Sequence, residues 1–297
     1  MGKKFSNQVL GHLTALLVVM IWGETFVSTK MLLNAGLMPA DIFFYRFLLA
    51  YVLTWFVSYK RLFCRNITDE LTTFALGVLG GSLYFLTENM ALVYSTASNV
   101  AILLSSCPLL TALLLSIFYK SERLSKKQIF GSLLAFLGMV MVVLNGQLIL
   151  HLNPRGDALA IGAAVCWAFY SLLLIPANKR YGAVFITRKV FFYGLFTVIP
   201  YYIIYPDLPP VSVLLRPVVL GNLLFLGVVA SMLCFLLWTW VMDKLGAVVA
   251  TNYVYVNPVS TIVFAHFVLG EQITPFFLLG TLLILIGLFL ADRKVAS

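Results

Sequence analysis

The sequence predicts an all-α integral membrane protein whose ten transmembrane helices form two inverted five-helix repeats. Three observations carry this. The 297 residues are 62% hydrophobic and only 10% charged, whereas a soluble domain is roughly 45–50% apolar and about 25% charged. The apolar residues fall in unbroken runs such as Leu133 to Leu144 and Leu278 to Leu290, and a membrane-spanning helix needs about 20 of them. A set of Trp, Arg, Pro, Glu and Gly positions also recurs in the second half of the chain.

The same composition excludes a soluble enzyme, a disordered chain and a nucleic-acid-binding domain. The net charge of +9 belongs instead to loops, because loops facing the cytosol carry excess Lys and Arg. An outer-membrane barrel needs short segments of alternating polarity, which the continuous runs contradict. The four cysteines, Cys64, Cys107, Cys166 and Cys234, have neither metal-ligand nor redox spacing and read as small apolar fillers. The start Met1-Gly2-Lys3-Lys4 looks like that of a signal peptide, but no clear cleavage site follows, so the first run is expected to stay as a helix.

Taken in order, the spans are expected at about 9–30, 41–59, 71–93, 97–119, 126–145, 157–177, 186–205, 217–241, 247–269 and 275–292. Lys60-Arg61 ends the second span, Asn153-Pro154-Arg155-Gly156 separates the halves, and Pro206-Asp207-Leu208-Pro209-Pro210 separates the seventh from the eighth. The connection near Ser95 is so short that the third and fourth spans form a tight hairpin. With the amino terminus in the cytosol, sixteen of the twenty basic residues fall on the inner side, among them Arg188 and Lys189 at the start of the seventh span. Only Lys30, Arg46, Arg155 and Arg216 fall outside. That asymmetry supports an even number of spans with both termini cytoplasmic, in a cell membrane.

The repeat has a register. Pro108-Leu-Leu-Thr, Glu122, Gly131 and Gly138 are matched by Pro258-Val-Ser-Thr, Glu271, Gly280 and Gly287. Upstream, Gly11 and Trp22 match Gly156 and Trp167, and Arg46 matches Arg188. A unit of five helices, an odd number, flips the second copy in the membrane. The repeats are expected at 1–146 and 147–297, with a binding site near the midplane between them.

These residues resemble the EamA-like branch of the drug/metabolite transporter superfamily. The resemblance lies in Trp22-Gly23-x-x-Phe26-x-x-x-Lys30, in Pro39 through Arg46, in Ala91 through Pro108 to Glu122, and in the second copy from Pro258 to Glu271-x-x-Thr274 with Gly280 and Gly287. It covers nearly the whole chain. It implies a central cavity and secondary transport, often export, of amino acids or other small metabolites. Glu24 departs from the pattern, since members usually carry a small residue there.

Charges inside spans are the informative ones, since each costs roughly 2.5–3.5 kcal/mol at a helix centre on insertion scales. Glu24, Glu88 and Arg46 all fall about 8–9 Å below the outer surface at 1.5 Å per residue. Arg46 suits a carboxylate, in bidentate fashion, and a Glu suits an ammonium, so the layer suits a zwitterion and a proton. The alternative is a structural ion pair, with Arg46 held by Asp41 or a loop carbonyl near the surface. Gly77, Gly81, Tyr84 and Glu88 fall on one face of the third span. Trp22 and Trp167 begin matched segments, Trp22 and Phe26 flank Glu24 at two residues and so on different faces but should line the same opening if Glu24 does, and Trp238, Tyr253 and Tyr255 are expected to complete an aromatic wall. Asn99, Ser105 and Ser106 with Pro108, and Asn252 and Asn257 with Pro258, offer freed carbonyls and amides, or simply join helices. His266 is either a helix-pairing residue or a proton relay to Glu24 or Glu88.

No phosphate-binding GxxxxGK[ST] loop is present. Transport then runs on a gradient, where one charge crossing 100 mV yields about 2.3 kcal/mol. With the export and substrate class that the resemblance implies, the expectation is a proton-coupled exporter of amino acids or other small polar metabolites working by alternating access. Its expected partners are a small-molecule substrate, the lipid bilayer and protons, with room for a homodimer and with no cofactor, metal or nucleic acid. A nucleotide-sugar or phosphometabolite exchanger would want several deep Lys or Arg residues, and only Arg46 is deep. A membrane sensor or lipid-handling protein would want an output domain or a catalytic constellation.

Overall fold

A computed structural model describes residues 2–95, 97–119, 125–144, 153–269 and 273–292. The first half is built from α1 (Gly2–Asn34), α2 (Pro39–Val57), α3 (Ile67–Tyr94), α4 (Ala97–Leu104), α5 (Cys107–Phe118) and α6 (Lys126–Leu144). The second comprises α7 (Pro154–Tyr181), α8 (Ala183–Ile204), α9 (Pro217–Leu245), α10 (Ala247–Asn252), α11 (Asn257–Leu269) and α12 (Pro275–Asp292), with one extra turn at Val211–Leu214. Among the described residues, seven helical stretches are long and apolar enough to cross a bilayer, one of them running through α10 into α11 (Ala247–Phe264), and α5 and α12 are apolar but shorter. Each helix of the second half occupies the chain position of its counterpart six labels earlier.

Local chemistry sets the ends. Pro39 sits in the first turn of α2, where a missing N–H costs nothing, and the Asp41 carboxylate takes the Met38 N–H at 3.0 Å. The Asn153 side chain accepts the N–H groups of Arg155 and Gly156 to begin α7. Gly182 and Gly246, at φ +81° and +83°, are the single residues joining α7 to α8 and α9 to α10; a side chain is disfavoured at such angles.

Two irregularities recur in both halves. A π-helical turn interrupts α3 at Val78–Ser82 and α9 at Phe225–Leu233. It breaks the regular stripe expected along the third span, because each π turn adds a residue. Gly77 and Gly81 turn to α8, close to the backbone of Gly194, while Tyr84 and Glu88 face the interior. Likewise α4 gives way to α5 at Ser105–Ser106, just before Pro108, and α10 gives way to α11 through the 3-10 turn Tyr253–Val256, just before Pro258. Proline lacks an N–H and disfavours the helical conformation in the residue before it.

α6 and α12 pack through the repeated glycines. A Cβ on Gly131 would lie 2.6 Å from the Gly287 carbonyl oxygen, and one on Gly138 the same distance from that of Gly280. As numbers rise along one helix they fall along the other, so the two run antiparallel.

Charge gathers at one end, around loop 58–66. Arg188 donates to the carbonyls of Ser58 and Arg61, Lys189 and Tyr193 bond Glu70, and Arg180 and Tyr181 bond Asp69. Arg188 and Lys189, counted among the inner-side charges, are buried within α8.

Candidate functional site

The helices leave a cavity between the halves. One face of α1 supplies Trp22, Thr25 and Phe26, α2 supplies Arg46, and α3 supplies Tyr84, Phe85 and Glu88. Ala101, Leu104, Ser105 and Cys107 enter from the break between α4 and α5, and Trp167, Phe235, Val254 and Asn257 from the second half. The space for water centres is about 50 Å³, room for about four waters. That is well below the roughly 300–1,000 Å³ of small-molecule sites.

Arg46 is 2% exposed. Its Nε donates to Ser231 Oγ at 3.0 Å and its guanidinium lies over the Phe85 ring at 4.1 Å. Its Nη groups have no acceptor among the described residues. Asp41, one of the two partners weighed for a structural Arg46, bonds Tyr202 and Met38 instead. Glu88, 6% exposed, accepts a long 3.4 Å hydrogen bond from Tyr84. Arg46 and Glu88 line the same cavity without pairing directly. Two buried groups nearby also lack partners: Trp167 Nε1 and Asn257 Oδ1. A cation with free donors, an unpaired carboxylate, and an aromatic wall together suit a small molecule carrying both charges and an apolar body.

The expected three-charge layer is corrected by Glu24. It does not share this cavity but lines a separate lateral crevice with Met20, Ile21 and Phe264. Equal depth says nothing of direction, and two residues along a helix turn a side chain through about 200°. Trp22 and Phe26 thus line the cavity without Glu24. Trp167, Tyr84 and Ser105 also line it, though the Ser105 hydroxyl donates to the Ala101 carbonyl at 2.7 Å. Trp238 lies behind the wall, with its ring 5.0 Å from Trp22. Asn252 is not in the lining; it accepts from Ser132 at 3.1 Å and ties α10 to α6. Tyr255 is wholly buried away from the cavity, with its hydroxyl unpartnered. The backbone of His266 belongs to α11, but its side chain, with that of Asn99, lies outside the described residues, as do Glu122 and Glu271.

Sequence reasoning missed Thr25, Phe85, Phe235 and Ser231. Thr25 follows Trp22 by three residues on the same helical face. Phe85 and Phe235 are repeat equivalents, in the register that matches Glu88 to Trp238. Nothing in the sequence marks Ser231.

Comparison with known proteins agrees with this architecture. Residues 9–144 and 154–291 each match the profile of the EamA-like transporter family. An "Uncharacterized transporter" of Archaeoglobus fulgidus is 29% identical over 288 residues, covering 95% of this chain and 97% of its own. A "Probable amino-acid metabolite efflux pump" of Salmonella typhimurium is 26% identical, covering 93% and 92%. A "Probable terminal-alkyne amino-acid exporter" of Streptantibioticus cattleyicolor is 25% identical, covering 73% and 71%. A crystal structure shares the fold at TM-score 0.72 and 18% identity, over 96% of this chain and 97% of the other.

Proposed function

Since the chain belongs to the EamA-like transporter family, a multi-pass membrane transporter rather than an enzyme, we propose that it exports amino acids or closely related small zwitterions. The observation that carries this is the pair Arg46 and Glu88, lining one aromatic cavity with no direct bond between them. Arg46 Nη groups hold the substrate carboxylate, Glu88 holds the ammonium, and Trp22, Phe26, Trp167 and Phe235 hold the apolar side chain. Without Glu24 the grip rests on two charges rather than three. The names of the Salmonella and Streptantibioticus relatives favour the same substrate class.

The cycle is alternating access between two inverted repeats, 1–146 and 147–297, with ten crossings, both termini cytoplasmic and the protein in the plasma membrane. Glu88 carries a proton when no ammonium holds it, which couples export to the proton gradient. Proteoliposome counterflow with labelled amino acids tests the reading. The expected result is exchange of an amino acid but not of its decarboxylated amine or its deaminated acid. Exchange of nucleotide sugars or phosphorylated metabolites in preference to amino acids overturns it.

A further inference from the structure

The crevice beside Glu24 is separate from the transport cavity. Helix α1 is the wall between them: Trp22, Thr25 and Phe26 face the cavity, while Leu17, Met20, Ile21 and Glu24, spaced at i, i+3, i+4 and i+7, face the crevice. The crevice has a volume of about 520 Å³, within the range of small-molecule sites, roughly 300–1,000 Å³. Its rim of Leu17, Met20, Phe264 and Leu285 is exposed, so in a bilayer it opens to lipid.

The chemistry inside is unbalanced. Glu24 Oε2 is buried and has no hydrogen-bond partner. The other polar side chains lining the crevice are Ser260 and Thr281. Their hydroxyl protons are committed to carbonyls, Ser260 to Met20 and Asn257, and Thr281 to Phe277. No basic side chain lines the crevice among the described residues. Among the described residues the carboxyl group therefore has an apolar chamber around it and no free donor within it. A ligand that satisfies both must bring an apolar body, to enter from lipid and fill the chamber, and a cationic N–H donor for Glu24.

We propose that this crevice is a second binding site, reached from the bilayer, for a compact amphiphilic amine whose ammonium pairs with Glu24. The test uses the full-length protein in phosphatidylcholine nanodiscs, with 1-aminoadamantane as probe and the neutral 1-adamantanol as its control, binding being read by saturation-transfer NMR. Glu24→Gln should weaken aminoadamantane binding at least about tenfold, the effect of removing a charged hydrogen bond, and leave adamantanol unchanged. Leu285→Trp, which fills the chamber from its lipid side, should block both. Glu88→Gln should leave amine binding as it is. Equal binding of amine and alcohol would assign the crevice to acyl chains and overturn the proposal. Loss of amine binding in Glu88→Gln but not in Glu24→Gln would place the amine in the transport cavity and overturn it equally. If Glu24→Gln does not fold, Leu285→Trp and Glu24→Asp decide: unaltered amine binding in both overturns the site. The outcome is independent of what the central cavity transports.

Discussion

Trp22 of α1 and Trp167 of α7, equivalent residues of the two repeats, meet edge to face at the centre of the molecule, with ring centroids 5.3 Å apart and planes at 88°. Phe85 and Phe235, also equivalents, approach to 6.3 Å. Residues that map onto each other and also touch must lie near the axis relating the halves. The antiparallel contact of α6 and α12 sets that axis across the helices. The cavity, lined by all four of these rings, therefore lies at that axis, the position the proposed alternating access requires of a binding site.

Glu88→Gln keeps the shape of the site and removes its charge. Expression should be normal, and transport should lose its dependence on pH between about 5 and 8. Counterflow across that range checks this; an unchanged profile would make Glu88 a structural residue.

Arg46→Lys keeps a positive charge but loses the planar fork and its place over Phe85. The substrate KM should rise about tenfold or more, because bidentate recognition is lost. Ser231→Ala leaves the fork but frees its Nε, so its effect should be smaller and again appear mainly in KM. Concentration series for both variants separate the two roles.

Gly138→Ala inserts a methyl group 2.6 Å from the Gly280 carbonyl, where backbone must shift. Overpacking of this kind costs about 1–3 kcal/mol. Thermal unfolding in detergent should show a lowered Tm. Gly162→Ala, where nothing lies within 4 Å of the added carbon, should not lower it.

Cys64, in loop 58–66, reports on the charged end. Burial pushes its thiol above the ordinary value, so maleimide labelling should be slow at neutral pH and quicken as pH rises, since the thiolate is the reactive form. Lys189→Met removes one tie on Glu70, which accepts the Cys64 N–H at 2.7 Å. Loosening the loop should speed labelling, as a time course by mass spectrometry would show.

Much of this architecture is legible in the amino-acid sequence. The repeat register marks the paired breaks at Pro108 and Pro258 and the glycine seam, because each depends on residue types kept at fixed spacing. The matched π turns are not legible, since no residue type announces an added residue within a helix. That Arg46 and Glu88 share one level, and so one cavity, follows from their distance to span ends. The direction of Glu24 does not, since depth fixes height and not rotation. The partner of Arg46 is hidden for another reason: Ser231 comes from the other half of the chain, and a serine in an apolar helix has no local signature.

The ties around loop 58–66 join α3 of one repeat to α8 of the other. The corresponding positions in α2 and α9 hold Phe47 and Leu220 in place of Lys189 and Glu70, and neither carries charge. The ion-paired ties therefore have no counterpart at these positions in the other pair of helices. Simple salt screens such ties. Under the proposed alternating access, opening at the end of loop 58–66 should therefore answer to ionic strength: sodium chloride should hasten it, and so shorten how long the protein waits with that end shut.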